Sequence, residues 1–200
     1  MDAMPFLSSP GSTTLLSTGT VALAEIGDKT QLLALMLAAR FRRPWPIVAG
    51  ILVATLLNHA LAGWIGTLAA SWLRPDVLQW IVAASFFAVA LWTLKPDKLD
   101  DGEALPARGA FIATTIAFFI AEIGDKTQLA TVLLAARYSP LWEVVLGTTL
   151  GMLAANVPVV VLGSRFAARL PLRAARLTAA TVFMALAAWA LWSALSAPTP

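Results

Sequence analysis

The sequence contains no cysteine and few charged residues for its length of 200. The lack of thiols excludes disulfides, thiolate metal sites and thiol redox chemistry. There is one histidine, His59, and a single imidazole cannot build a zinc site. Charged residues make up 12% of the chain, whereas a soluble domain has about a quarter. These shortages exclude a disulfide scaffold, a zinc protein and an ordinary soluble domain.

The chain instead contains long runs of apolar residues. Hydrophobic residues make up 59% of it and the mean hydropathy is +0.79. Because a run of about 20 apolar residues is long enough to cross a bilayer, we predict an all-α polytopic membrane protein. The whole chain, 1–200, is predicted to be one membrane domain whose partner is the lipid bilayer. Six transmembrane helices are predicted, at 15–39, 45–70, 77–94, 109–136, 141–167 and 172–195.

A nine-residue segment occurs twice. AEIGDKTQL stands at 24–32 and again at 121–129, 97 positions later. The same offset relates Trp45 to Trp142 and Gly50 to Gly147. We therefore predict repeat one at 13–95, a linker at 96–108 and repeat two at 109–196, with three helices in each repeat. An odd number of spans inverts the second copy, which is typical of secondary transporters, although duplication for stability alone is an alternative.

The basic residues predict the orientation in the membrane. Ten fall on one side and two on the other, and the richer side is expected to be cytoplasmic. The linker is then cytoplasmic and both termini are extracytoplasmic. The start of the chain lacks the features of a signal peptide, so we expect no cleaved leader. The ten are Arg40, Arg42, Arg43, Lys95, Lys98, Arg108, Arg165, Arg169, Arg173 and Arg176, and the two are Arg74 and Arg137.

The net charge of +3 is explained by these loop residues, and we expect no nucleic-acid partner. The linker also carries four acidic residues, which are either a solvated connection or a weak cation-collecting mouth. They are Asp97, Asp100, Asp101 and Glu103.

The repeated segment places carboxylates in the middle of apolar spans. A charge at the bilayer centre costs at least roughly 2.5–3.5 kcal/mol, so we interpret these residues as functional. Residues three apart share a helix face, which pairs Glu25 with Asp28 and Glu122 with Asp125. Bringing the two faces together predicts a cage of four carboxylates suited to a hard divalent cation. The alternative is a buried ion-pair network that only holds the helices together.

Other polar residues surround the predicted cage. Lys29 and Lys126 are expected to balance charge, either by pairing with the glutamate four residues earlier or by pairing across the repeats. Gly27 and Gly124 allow either close helix approach or local unwinding. His59 is a candidate proton relay. The candidate additional ion ligands are Gln31, Gln128, Thr30, Thr127, Asn58 and Asn156, and the two asparagines could instead be interhelical contacts.

The formal charge of the cage suggests proton coupling. Four carboxylates and two lysines give −4 + 2 = −2, which one divalent cation or two protons would neutralise. Because an uncompensated charge in a low dielectric is costly, metal and protons are expected to compete for the same cage. Such competition is itself a mechanism of exchange.

Two copies of Glu-x-Gly-Asp-Lys-Thr in a six-span protein resemble the Gdt-type calcium/manganese:proton antiporters, which include bacterial manganese exporters of the MneA type. The residues that match are Glu25, Gly27, Asp28, Lys29, Thr30, Glu122, Gly124, Asp125, Lys126 and Thr127. The resemblance implies export of manganese, or of calcium, from the cytoplasm in exchange for protons, and its prokaryotic members imply a bacterial inner membrane as the location. It implies no enzyme activity and no cofactor besides the transported ion.

Two other functions remain open from the residues alone. Paired carboxylates could serve as acid and base in an intramembrane enzyme, or the protein could be a membrane assembly factor that transports nothing. The sequence favours neither, because it shows no nucleophile or metal–histidine motif and because inverted symmetry suits alternating access.

Overall fold

The structure is a computed structural model that describes residues 11–95, 109–163 and 171–196. Within those ranges the chain forms eight α-helices. They are α1 (Ser12–Glu25), α2 (Lys29–Phe41), α3 (Pro44–Trp72), α4 (Pro75–Thr93), α5 (Ala110–Glu122), α6 (Lys126–Arg137), α7 (Leu141–Leu162) and α8 (Leu172–Ser196).

The molecule has apolar side chains on its outside and polar side chains in its interior. On α3, Leu57 and Trp64 are half-exposed, whereas Asn58 and His59 are buried. In the described part of the chain, four helices are long and apolar enough to cross a membrane, namely α3, α4, α7 and α8, and α5 is a shorter apolar helix. An apolar exterior of this kind is stable in lipid, which identifies a multi-pass membrane protein.

Two of the predicted helices are interrupted, so the prediction of continuous helices at 15–39 and 109–136 was wrong. The first is divided into α1 and α2 at residues 26–28, and the second into α5 and α6 at residues 123–125. The cause is glycine, since Gly27 has φ 83° and Gly124 has φ 73°, values that L side chains rarely adopt. The alternative of local unwinding at the glycines is therefore the one observed.

Each interruption has the geometry of a type II turn. Ile26 is extended at φ −65° and ψ 113°, the following glycine has positive φ, and the Asp28 N–H donates to the Glu25 carbonyl at 3.0 Å. Ile123 and Asp125 repeat this arrangement, with an Asp125 N–H to Glu122 carbonyl distance of 3.1 Å. The argument that three-residue spacing puts both carboxylates on one continuous helix face therefore fails, because the turn lies between them.

The other predicted spans agree with the helices within two residues at 45–70, 77–94 and 172–195. The fifth span was predicted to reach residue 167, but α7 ends at Leu162 and is followed by Gly163 at φ 71°. The predicted linker at 96–108, with its acidic residues, lies outside the described residues.

The two halves of the chain repeat in structure and interleave in packing. Adding 97 to Lys29, Pro44 and Pro75 gives the first residues of α6, α7 and α8. Helix α1 packs on α7, as its counterpart α5 packs on α3, and α4 packs along its own counterpart α8. Phe86 and Phe183, also 97 apart, stack with ring centroids 6.3 Å apart. Each half therefore completes the core of the other.

The α1–α7 contact is tight because glycines bring the two backbones together. A Cβ added to Gly147 would lie 2.5 Å from the Thr14 carbonyl oxygen, and one added to Gly151 would lie 2.7 Å from the Thr18 carbonyl oxygen. Neither backbone atom can move away easily. This contact fixes the position of α1 along α7, and therefore the position of Glu25 at the end of α1.

We predict that Gly147→Ala destabilises the protein. The added methyl group overpacks the α1–α7 contact, which costs about 1–3 kcal/mol and lowers the apparent melting temperature by several degrees. Thermal unfolding in detergent measures the change. Gly19→Ala is the matched control, because a Cβ there meets no described atom within 4 Å. Equal melting temperatures for the two variants would contradict the packing described here.

Candidate cation site

Four helix ends meet in the interior of the protein. Helices α1 and α5 end at Glu25 and Glu122, and helices α2 and α6 begin directly after Asp28 and Asp125. All four carboxylates are buried, with exposed fractions of 0%, 0%, 0% and 3% for Glu25, Glu122, Asp28 and Asp125. The two turns thus place carboxylates in the interior of the protein on non-helical backbone. In transporters, ions bind at the ends of such interrupted helices.

Three of the four carboxylates come together. One oxygen from each of Glu25, Glu122 and Asp125 lies within 4.8 Å of the others. Among the described residues, no hydrogen-bond donor reaches Oε1 of Glu25 or Oε1 of Glu122, although both atoms are buried. Because buried acceptors, and charged ones above all, require a partner, this cluster has a strong demand for positive charge.

Asp28, the fourth predicted ligand, is held by a lysine from the other repeat. The Lys126 ammonium donates to Oδ1 of Asp28, and both side chains are almost completely buried. Lys29 makes the equivalent pair with Oδ1 of Asp125 at 3.6 Å, but its side chain is 25% exposed. Of the two lysine pairings considered from the sequence, the structure therefore shows the one across the repeats.

The two motif threonines donate hydrogen bonds to the carboxylates. The Thr30 hydroxyl bonds to Oε2 of Glu25. The Thr127 hydroxyl lies 3.2 Å from Oε2 of Glu122 and 3.1 Å from Oδ2 of Asp125. Each glutamate thus has its Oε2 bonded to a threonine, whereas its buried Oε1 receives no hydrogen bond from the described residues.

The two motif glutamines close the turns. Oε1 of Gln31 accepts from the Gly27 N–H at 2.8 Å, and Oε1 of Gln128 accepts from the Gly124 N–H at 2.8 Å. The Gln31 amide then donates to the Ala155 carbonyl at 2.8 Å. The side-chain oxygens expected as extra ligands are therefore already used in holding the backbone that carries the carboxylates.

The two asparagines and the histidine lie on α3 and α7. Asn58 donates to the Phe119 carbonyl at 3.1 Å and accepts from Gln128 at 3.3 Å, so it ties α3 to both α5 and α6. Asn156 donates to the Met152 carbonyl one turn earlier at 3.1 Å. His59 is completely buried, and within the described ranges neither of its ring nitrogens has a hydrogen-bond partner.

Sequence reasoning missed the residues that act through their backbone or through simple contact. The carbonyls of Ala155 and Phe119 anchor the site, and Leu172 at the start of α8 lies against Gly27, with its Cδ2 2.9 Å from an added Cβ. At Gly124 no described atom lies within 4 Å of an added Cβ. The two turns therefore differ in the described residues that pack against them, and the pattern of residue types in the sequence does not predict this difference.

The chemistry available at the site is oxygen coordination. If Asp28 and Lys126 neutralise each other, the remaining three carboxylates and Lys29 give −3 + 1 = −2. A divalent cation brings that sum to zero. Carboxylate oxygens are the ligands that hard cations such as calcium and manganese prefer.

Comparison with known proteins agrees with this chemistry. The family model for the divalent cation/proton antiporter GDT1 matches residues 13–101 and 110–198, one match in each half. A protein of Vibrio cholerae named "Putative manganese exporter" is 56% identical over 173 residues, covering 86% of this chain and 86% of that protein. No solved structure shows a significant match.

Two less similar relatives cover a comparable share of the chain. A "GDT1-like protein" of Synechocystis is 28% identical over 88% of this chain and 95% of its own length. "GDT1-like protein 5" of Arabidopsis thaliana is 27% identical over 81% of this chain and 87% of its own length. The family match spans most of the sequence and both copies of the carboxylate turn, and the chain accordingly belongs to the GDT1 family of divalent cation/proton antiporters, which are transporters and not enzymes.

Proposed function

We propose that this protein exports a hard divalent cation, manganese in the first place or else calcium, from the cytoplasm in exchange for protons. The observation that carries the proposal is the buried cluster of Glu25, Glu122 and Asp125, with ligand oxygens within 4.8 Å of one another. Oxygen ligands suit both cations. The name of the 56% identical relative favours manganese.

The proposed topology has six spans as a 3+3 inverted repeat, 13–95 and 109–196. At 1.5 Å per residue, either half of a broken pair is too short to cross about 30 Å of hydrocarbon, but α1 and α2 together are long enough. In this proposal α1–α2 and α5–α6 each cross once, and the carboxylate cluster lies near the midplane. The distribution of basic residues supports an orientation with both termini outside the cytoplasm and the linker inside it.

The residues take distinct roles in this proposal. Glu25, Glu122 and Asp125 bind the cation, and Asp28 joins them when Lys126 releases it. Lys29 and Lys126 balance charge, His59 relays protons, and no resident cofactor takes part. Thr30 and Thr127, which contact the carboxylates, are the nearest sources of further ligand oxygens. Gln31, Gln128 and Asn58 act as ligands only if they release the hydrogen bonds that their oxygens accept, and Asn156 is the remaining candidate.

Proton coupling follows from the charge of the cluster. A net charge of −2 in a low-dielectric interior is costly unless a divalent cation or two protons neutralise it. The protein can therefore switch between the conformations open to either side of the membrane when the site holds the cation or protons. It cannot switch when the site is empty and charged. This is the exchange condition of an antiporter.

The topology predicts labelling from opposite sides of the membrane. Ser71 is exposed at the end of α3, and Lys95 is exposed at the end of α4. The native chain has no cysteine, so Ser71→Cys and Lys95→Cys give signals without background. A membrane-impermeant maleimide applied to intact cells should modify the first variant and not the second. Modification of Lys95→Cys alone would reverse the proposed orientation.

Neutralising a carboxylate of the cluster is predicted to weaken metal binding. Glu25→Gln, Glu122→Gln and Asp125→Asn each remove an anionic ligand, so manganese affinity should fall by about tenfold or more and transport into liposomes should stop. Asp76→Asn is the control, because Asp76 is a surface carboxylate paired with Arg74 at 2.9 Å. Wild-type transport by any of the three site variants would remove that residue from the site.

Metal binding is predicted to weaken as the pH falls. Protons and the cation compete for the same carboxylates, so binding should release protons and the apparent affinity should be highest at alkaline pH. Isothermal titration of purified protein with manganese across pH 5.5 to 8.5, in buffers of different ionisation enthalpy, measures both quantities. An affinity that does not change with pH, with no protons released, would exclude the shared site.

A further inference from the structure

An open crevice lies at one end of the protein, where α2 ends and where α3 and α5 begin. It has a volume of about 460 Å³, and its lining residues are Phe41, Arg43, Pro46 and residues 109–112. The lining is mainly apolar, and Phe111 and Ile112 are half-exposed. Ligand pockets have volumes of about 300–1,000 Å³. The crevice therefore has room for a ligand that is largely apolar.

The side chains around this crevice carry positive charge. Arg43 lines it and is exposed, and none of the ion pairs between described residues involves Arg43. The Arg40 guanidinium lies over the ring of Phe41, 5.2 Å from the ring centroid. None of the described lining residues is acidic. Because a guanidinium presents a planar fork of donors, it is suited to binding a phosphate group.

The first turn of α5 adds backbone N–H groups to the same crevice. Helix α5 begins at Ala110 after its N-cap Gly109, and no described side chain caps it. Its first turn contains no acidic residue. The first amides of a helix have no acceptor within the helix and carry a partial positive charge, so they attract anions. Arg43 and this turn together favour an anionic group in the crevice.

At the equivalent place in the other half of the molecule, the protein supplies the anion itself. Helix α1 is the counterpart of α5, and Glu143 lies beside its first turn. Oε1 of Glu143 accepts from the Gly11 N–H at 3.5 Å, and its backbone carbonyl accepts from the Thr14 hydroxyl at 3.3 Å. The residue 97 positions before Glu143 is Pro46, which lines the crevice and has no carboxylate. The crevice thus lies where the carboxylate beside α1 has no equivalent beside α5.

We propose that this crevice binds an anionic phospholipid of the cytoplasmic leaflet, whose phosphate takes the place beside α5 that the Glu143 carboxylate takes beside α1. The phosphate oxygens accept from the Arg43 guanidinium and from the first amides of α5. An acyl chain lies against Phe41, Phe111 and Ile112, which a free anion would leave uncovered. Basic pockets between membrane helices on the cytoplasmic side bind anionic headgroups in this way. The choice of leaflet rests on the proposed orientation, whereas the binding itself goes beyond the proposed transport function.

Lipid titration of the full-length protein tests the site. The protein is purified in a neutral detergent and titrated with dioleoyl phosphatidylglycerol, with dioleoyl phosphatidylcholine or with inorganic phosphate. Native mass spectrometry measures the retained lipid, and thermal unfolding measures the stabilisation. Arg43→Gln removes the charge, and Arg74→Gln is its control because Arg74 is an exposed arginine outside the crevice. Ile112→Trp fills the crevice, and Ile116→Trp is its control one turn further along α5, outside the lining.

We expect phosphatidylglycerol to raise the melting temperature of the wild type by several degrees, because it binds the folded state. Phosphatidylcholine and inorganic phosphate at the same concentration should not. Arg43→Gln should weaken phosphatidylglycerol binding about fivefold, the loss expected for one basic residue at an anionic headgroup. Ile112→Trp should weaken it as well, and the two control variants should bind as the wild type does.

Three outcomes would overturn the proposal. Inorganic phosphate that stabilises as well as phosphatidylglycerol would show a free-anion site without a lipid. Equal phosphatidylglycerol affinity in Arg43→Gln and Arg74→Gln would remove the headgroup from the crevice. If Arg43→Gln lowers the melting temperature equally with and without phosphatidylglycerol, the arginine binds another segment of this chain instead. No measurement here involves manganese, so the result is independent of the proposed transport function.

Discussion

The structure depends on burying several carboxylates close together in an apolar interior. Glu25, Glu122 and Asp125 have oxygens within 4.8 Å of one another, and like charges at such distances repel strongly where the dielectric is low. Lysines from the opposite repeat and threonine hydroxyls offset only part of that charge. The remainder is an uncompensated negative charge, which in the proposed function a divalent cation or protons neutralise, and the surrounding helices hold the carboxylates in place.

Interrupted helices are the means by which the backbone meets this requirement. A continuous helix would place Glu25 and Asp28 one turn apart on the same face, whereas the glycine turn directs them to different partners. Gln31 and Gln128 bond to the turn amides that the helices leave free, so the interruption costs no buried hydrogen bond there. The same turn therefore builds the site and stabilises its own backbone.

Differences between the two repeats matter as much as their likeness. Leu172 lies against Gly27, whereas no described atom lies within 4 Å of a Cβ added to Gly124, and Lys126 is buried while Lys29 is partly exposed. A fully symmetric site would treat both sides of the membrane alike. An antiporter must receive one ion from each side of the membrane. These differences between the repeats can therefore determine which ion is taken up from which side.

The sequence by itself determined the repeat, the membrane class, most helix bounds and the set of polar residues that meet in the interior. These follow from apolar run length and from the identity of residues 24–32 and 121–129, which are local properties of the chain. Only the tertiary structure decided that the helices break at Gly27 and Gly124, because glycine permits both a helix and a positive φ. It also decided that Asp28 pairs with Lys126 while three other carboxylates cluster. Those arrangements depend on the distance between atoms nearly a hundred residues apart in sequence, and packing between helices sets that distance.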